Sequence, residues 1–223
     1  VGNRPEGDTI QRFQSREFFC VLVLILVQSL STAVWSQINV TTFHYDNART
    51  GQNTQETVLT PANVNSNQFG KLFTIFVDGY VFAQPLYLAG VQNIAGGTHN
   101  VLYVVTQHGS LLAIDADNGA ILWQKSFINP VAEINTVSPS DVSCTDMLPE
   151  SAITSTPVID PASGTIYLLV KTNENGQFFQ RLHAIDTTSG AEKFGGPVPI
   201  AATVNGTGDN GETVTFNSLT EHN

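Results

Sequence analysis

Leu111 to Gly119 reads LLAIDADNG, and Leu182 to Gly190 reads LHAIDTTSG. The offset is 71 residues, and Leu111, Ala113, Ile114, Asp115 and Gly119 coincide with Leu182, Ala184, Ile185, Asp186 and Gly190. Four residues past each glycine stands an aromatic, Trp123 in the first copy and Phe194 in the second. The match extends upstream: Leu102-Tyr103-Val104-Val105 corresponds to Ile166-Tyr167-Leu168-Leu169, and Gln84-Pro85-Leu86-Tyr87 to Thr156-Pro157-Val158-Ile159. An internal repeat of this length means that each copy is one supersecondary unit, stacked on its neighbour to bury a shared core.

Each copy reads as four short strands. The first has about 83–88, 101–106, 110–115 and 120–127; the second has about 155–160, 165–171, 178–186 and 191–199. The spacing differences between copies fall in polar stretches, Gly96 to Asn100 and Asn173 to Gly176, read here as loops because loops absorb insertions. Short strands separated by turn signals predict an all-β fold. A four-strand unit in tandem favours a β-propeller, with one blade per unit. The expectation is about two complete blades, residues 83–127 and 155–199, plus flanking strands, within a partial propeller spanning 37–223.

The repeated residues have physical roles in such a unit. Ala113 and Ala184 are small enough to let sheets approach. Asp115 and Asp186 are placed to accept hydrogen bonds from the turn amides that follow. Gly119 and Gly190 supply a positive φ angle, and Trp123 and Phe194 supply rings to bury between units. A calcium-loop reading of DADNG fails, because the glycine comes at the fifth position and the distal Glu is missing.

Composition sets the class. Val, Ile, Thr, Phe and Tyr recur beside 18 Gly and 10 Pro, a mixture suited to strands and turns. Nine Lys and Arg against 19 Asp and Glu leave a formal net charge of -10. That balance argues against nucleic acid, which needs clustered cations. It argues equally against an anionic membrane surface, and it reads simply as solubility.

The front of the chain has the layout of an export signal. Arg12 and Arg16 precede the apolar run Phe18 to Leu30, and small and polar residues follow as far as Ser36. Residues 1–36 are therefore expected to be a cleaved signal peptide with its upstream residues. The run is shorter than the ~20 residues that span a bilayer, so membrane attachment is expected only if the leader stays uncleaved. The mature chain is expected to be exported: periplasmic, cell-surface or secreted. The first residue is not Met, and the chain reads as an N-terminal fragment. Cys144 remains alone behind the leader, either buried and inert or paired with a cysteine outside this sequence.

The string LYVVTQHGSLLAIDADNGAILWQ, Leu102 to Gln124, resembles the repeat of pyrroloquinoline-quinone (PQQ) propellers, with its Tyr-Val strand, Ala-x-Asp strand and Gly-x-x-x-Trp. SAITSTPVIDPASGTIYLL, Ser151 to Leu169, resembles a blade-opening segment of the same proteins. FHYDNARTGQN, Phe43 to Asn53, with LTPANV, Leu59 to Val64, resembles the mature N-terminus of exported quinoprotein relatives. The resemblance implies that Trp123 docks one blade onto the next; Phe194 departs from that pattern. It implies an outer strand at Phe69 to Val77, which would complete a last blade, and the opening of a third blade at Thr213 to Leu219. PQQ and calcium are implied by the resemblance alone.

No catalytic or cofactor-binding residue stands out. Quinone dehydrogenases of this family use an Asp base, a calcium held by carboxylate and amide oxygens, and a Trp floor. Many add a disulfide of adjacent cysteines, a pair this chain does not have. No pair of its five histidines, His44, His99, His108, His183 and His222, has metal-ligand spacing, so no metal residues are assigned. His183, between Leu182 and Ala184, reads as a solvated or hydrogen-bonded strand residue. His44, Asp46 and Arg49 to Asn53 either line the propeller mouth or form a turn capped by its own polar side chains. Two functions follow. The first is an exported binding or scaffold propeller with an unknown ligand or protein at its face, a class that includes outer-membrane assembly scaffolds. The alternative is the N-terminal part of a periplasmic PQQ-dependent dehydrogenase oxidising alcohols or sugars.

Overall fold

Strands dominate a computed structural model of the chain, which describes residues 38–143, 147–208 and 211–220. The expected leader and Cys144 lie outside the described residues. The protein is all-β, built of antiparallel sheets that do not close into a barrel.

The first repeat is a four-stranded meander in sequence order: β1 (Leu86–Ile94), β2 (Gly97–Val105), β3 (Ser110–Asp115) and β4 (Ile121–Ser126). Its first hairpin differs from the sequence expectation. Gly97 to Asn100 belong to β2, and the turn shrinks to Ala95 and Gly96, both at positive φ. A turn with two left-handed residues matches the twist of the strands it joins, so the ladder continues through the polar stretch.

The second repeat follows the same order with shorter flanks. β5 (Ile134–Asn135) and β6 (Val158–Asp160) pair with opposite ends of β7 (Thr165–Glu174), which pairs with β8 (Gln177–Asp186), and that with β9 (Val198–Pro199). Asn175 and Gly176, both at positive φ, again make a two-residue turn where a longer loop was expected. The fourth strand, expected over 191–199, is reduced to a bridge between Ile185 and Glu192 and the two residues of β9. A hairpin of β10 (Thr203–Asn205) and β11 (Thr213–Thr215) follows as a separate two-stranded sheet. Thr213 to Thr215, expected to open a further blade, pair with β10 among the described residues. Phe69 to Val77, expected as an outer strand, pairs with no strand among the described residues.

Burial shows how the repeats stack. All six residues of β3 are buried. Leu111 and Ala113, with Val101, Tyr103 and Val105 of β2, share one core with Ile166, Leu168, Val170 and Ile185 of the second repeat. Leu112 and Ile114, with Val104, form a second core capped by Ile75 and Val77. Alternation along a strand therefore sends successive residues into two different cores.

The inner edges are tied by backbone. Val40 pairs with Tyr87 of β1, and the carbonyl of Thr41 accepts the Ile159 amide of β6, so one N-terminal segment bridges both repeats. A chain of hydrogen bonds links the repeats: the Gln107 amide donates to the Tyr80 carbonyl, the Ala152 amide to the Gln107 carbonyl, and the Lys171 amide to the Ala152 carbonyl.

Candidate functional site

The repeated motif forms a docking site between the two sheets. Asp115 ends β3, and its Oδ1 accepts the Asp117 amide at 2.8 Å and the Asn118 amide at 3.3 Å. Asp186 ends β8 and accepts the amides of Thr188 and Ser189, each at 3.0 Å. Both turns close on a glycine at positive φ, +80° for Gly119 and +69° for Gly190. The glycines also leave room for a ring. A methyl built on Gly190 would lie 2.9 Å from the Trp123 indole of the first repeat. Two donors of the first repeat then converge on one carbonyl of the second: Tyr103 Oη at 3.0 Å and Trp123 Nε1 at 3.1 Å from the oxygen of Thr187. Burial pushes the Tyr103 phenol well above its ordinary pKa, keeping it a donor. Ala113 is fully buried at this interface.

The same geometry recurs one step earlier. A methyl on Gly119 would lie 2.9 Å from the ring of Phe73. Phe73 thus covers the first repeat's turn as Trp123 covers the second's, and Ile75 and Val77 beside it cap the adjoining core. The segment was expected as an outer strand, and this covering role of Phe73 was not foreseen. No constant spacing reveals it, because the ring and its glycine belong to different stretches of chain. Phe194, at the corresponding position of the second repeat, is 73% exposed. Ala184, the counterpart of Ala113, is half-buried.

Polar side chains gather at the β2–β3 turn. The carboxylate of Asp78 accepts from Thr106 Oγ1 at 2.8 Å and from Ser110 Oγ, pinning the segment after Val77 to this turn. His108 Nδ1 lies 2.8 Å from Glu150, whose other oxygen accepts from Thr136 at 2.8 Å. Between them the buried Gln107 donates from Nε2 to the Met147 carbonyl, while its Oε1 has no hydrogen-bond partner among the described residues. Residues 78–80 and 106–110 meet here with Thr136, Met147, Glu150 and Ala152.

His99 and His183 each lie against a carboxylate. His99 Nδ1 sits 2.7 Å from Asp115 Oδ2 at the far end of the same sheet. That bond, helped by the turn amides, holds the Asp115 carboxyl below the usual carboxylate range. His183 is buried, 2.9 Å from Glu192 and edge-on to Phe127, and burial pushes its imidazole down. The Asp46 carboxylate accepts from the hydroxyl and amide of Thr50, which makes the Arg49 neighbourhood an exposed self-capped turn. Among the described residues, no three His, Cys, Asp or Glu side chains converge as a metal group.

No protein-family model matches the chain, and no curated protein matches it.

Proposed function

We propose that the chain is part of an exported β-propeller with PQQ-type repeats, acting as a binding or scaffold module. The observation that carries this reading is the stacking of two antiparallel sheets, one of four strands and one of five, through their repeated residues, with Trp123 over Gly190. Sheets stacked face to face by a recurrent contact are the building principle of a propeller. The polar end of the stack supplies a surface. His108, Glu150, Thr136 and Asp78 belong to segments held by both sheets and the linker between them, where rigid elements position loop side chains for recognition. An unknown ligand or protein at that rim is the partner this reading supplies; PQQ and calcium remain implied by resemblance alone.

Two measurements test it. A crystal structure of the natural full-length protein is expected to show the repeats as separate radial sheets; strands of one closed barrel would end the propeller reading. Protein incubated with PQQ and Ca²⁺ is expected to show no quinone absorbance and no dye reduction with alcohols or sugars. Either signal would replace the scaffold reading with the dehydrogenase one.

A further inference from the structure

The two repeats differ at one pair of equivalent positions. Across the 71-residue offset, His183 stands where the first repeat has Leu112, and Glu192 where it has Ile121. The ladder register is the same in both, with Ile114 opposite Ile121 and Ile185 opposite Glu192. Leu112 is 1% exposed in an apolar core, so the fold fills this position without a polar group. In the second repeat the position faces the first. His183 and Ile185 point to the same side of β8, and Ile185 lies in the core shared by both repeats. Phe127, just past β4, sets its ring edge-on to the imidazole, with 4.6 Å between centroids. The imidazole Nδ1 lies 2.9 Å from Glu192 Oε2, and Glu192 Oε1 accepts the Ala184 amide at 3.1 Å. A titratable pair thus replaces an apolar one at the seam between the repeats.

We propose that His183 is a pH-sensitive latch: its neutral imidazole closes the seam between the two repeats, and its protonation loosens it. The proposal uses the stacking of the repeats and neither the propeller reading nor a binding role. Burial decides the sign. The residue is 9% exposed, and loss of water disfavours the imidazolium by more than one partly solvated carboxylate restores. Three charged groups face the ring. Glu192, from the stretch after β8, favours the cation, while Lys125 of β4 and Arg181 of β8 oppose it. The imidazole is therefore held below its ordinary value of 6.5. On acidification through that range the folded chain takes up fewer protons than the unfolded one. The stability that His183 lends is complete above about pH 6.5 and is lost as pH falls toward the lower folded value. Trp123 reports on the same seam, because its indole lies against Gly190 and donates to the Thr187 carbonyl.

The test uses the full chain carrying Trp35→Phe, which leaves Trp123 as its only tryptophan. From about pH 7.5 to about pH 5.5, ordinary carboxylates stay ionised and imidazoles titrate. Over that range the melting temperature is expected to fall by about 3 °C. The Trp123 emission is expected to shift to the red in step, as the indole meets water. His183→Gln is expected to remove both responses. The double variant His183→Leu with Glu192→Ile restores the apolar pair of the first repeat; it is expected to fold and to show neither response. His99→Gln and His108→Gln are expected to keep the response of the parent chain. A melting temperature that holds or rises on acidification, or an emission that does not move, would overturn the proposal. So would a response that survives in the double variant, a double variant that does not fold, or a response that His99→Gln or His108→Gln removes.

Discussion

The carbonyl of Thr187 serves two donors from the neighbouring repeat, and the donors are not worth the same. Tyr103→Phe removes one hydroxyl, but the oxygen keeps the Trp123 indole, so no buried acceptor is orphaned. The expected loss is about 0.5–1 kcal/mol in urea unfolding. Trp123→Ala removes the other donor together with the ring over Gly190, and about 3 kcal/mol is expected. Asp115 gives a pH signature. Its carboxyl titrates below the ordinary value because the ionised form holds His99 and two turn amides. Its contribution is therefore present above the unfolded aspartate value of about 3.9 and is lost as pH falls through the lower folded value. Asp115→Asn is expected to flatten the acid limb of a stability-against-pH curve below about pH 4, checked by urea midpoints. These turn residues were legible in the sequence because an Asx turn and its glycine lie within five consecutive residues. The pairing of His99 with Asp115 was not, because it forms across two strands whose register only the folded hairpin sets.

Strand β3 is short but buried on both faces, which makes it the costliest element to damage. Leu111→Ala is expected to cost about 2–5 kcal/mol, and Ile121→Ala on the half-exposed β4 much less, about 1 kcal/mol, by denaturant titration. The central strands of both repeats could be read from their apolar runs and the 71-residue offset. The hairpins were harder. Polar residues around Gly96 and Asn175 signalled loops, yet a two-residue turn with both φ angles positive lets a solvated ladder run on past the core. The second repeat's fourth strand was over-read: apolar and β-branched residues occur there, but the cis Gly196-Pro197 segment carries Pro residues that donate no ladder bond. Phe69 to Val77 keeps strand-like alternation without pairing, because what holds it is Phe73, Ile75 and Val77 on the first repeat and not a neighbouring edge.

At the scale of the molecule, the stack has one well-covered side and one bare one. The first repeat is enclosed between the 69–77 segment and the second repeat, while Leu182, Phe194 and Val198 meet solvent. Exposed apolar surface of this kind drives association. Leu182→Lys is expected to leave the melting temperature unchanged in thermal denaturation, because the side chain already meets solvent. The bareness also has a direction in time. Each repeat's turn glycine is covered by a ring that lies before it in sequence: Phe73 precedes Gly119, and Trp123 precedes Gly190. During synthesis each turn glycine therefore emerges after the ring that covers it, and the second repeat emerges onto a first sheet already made. Order would propagate from the N-terminal side in single steps, with one sticky face at the growing tip at any moment. That places the demand for a holding chaperone at the first repeat's open face, for as long as the second repeat takes to emerge.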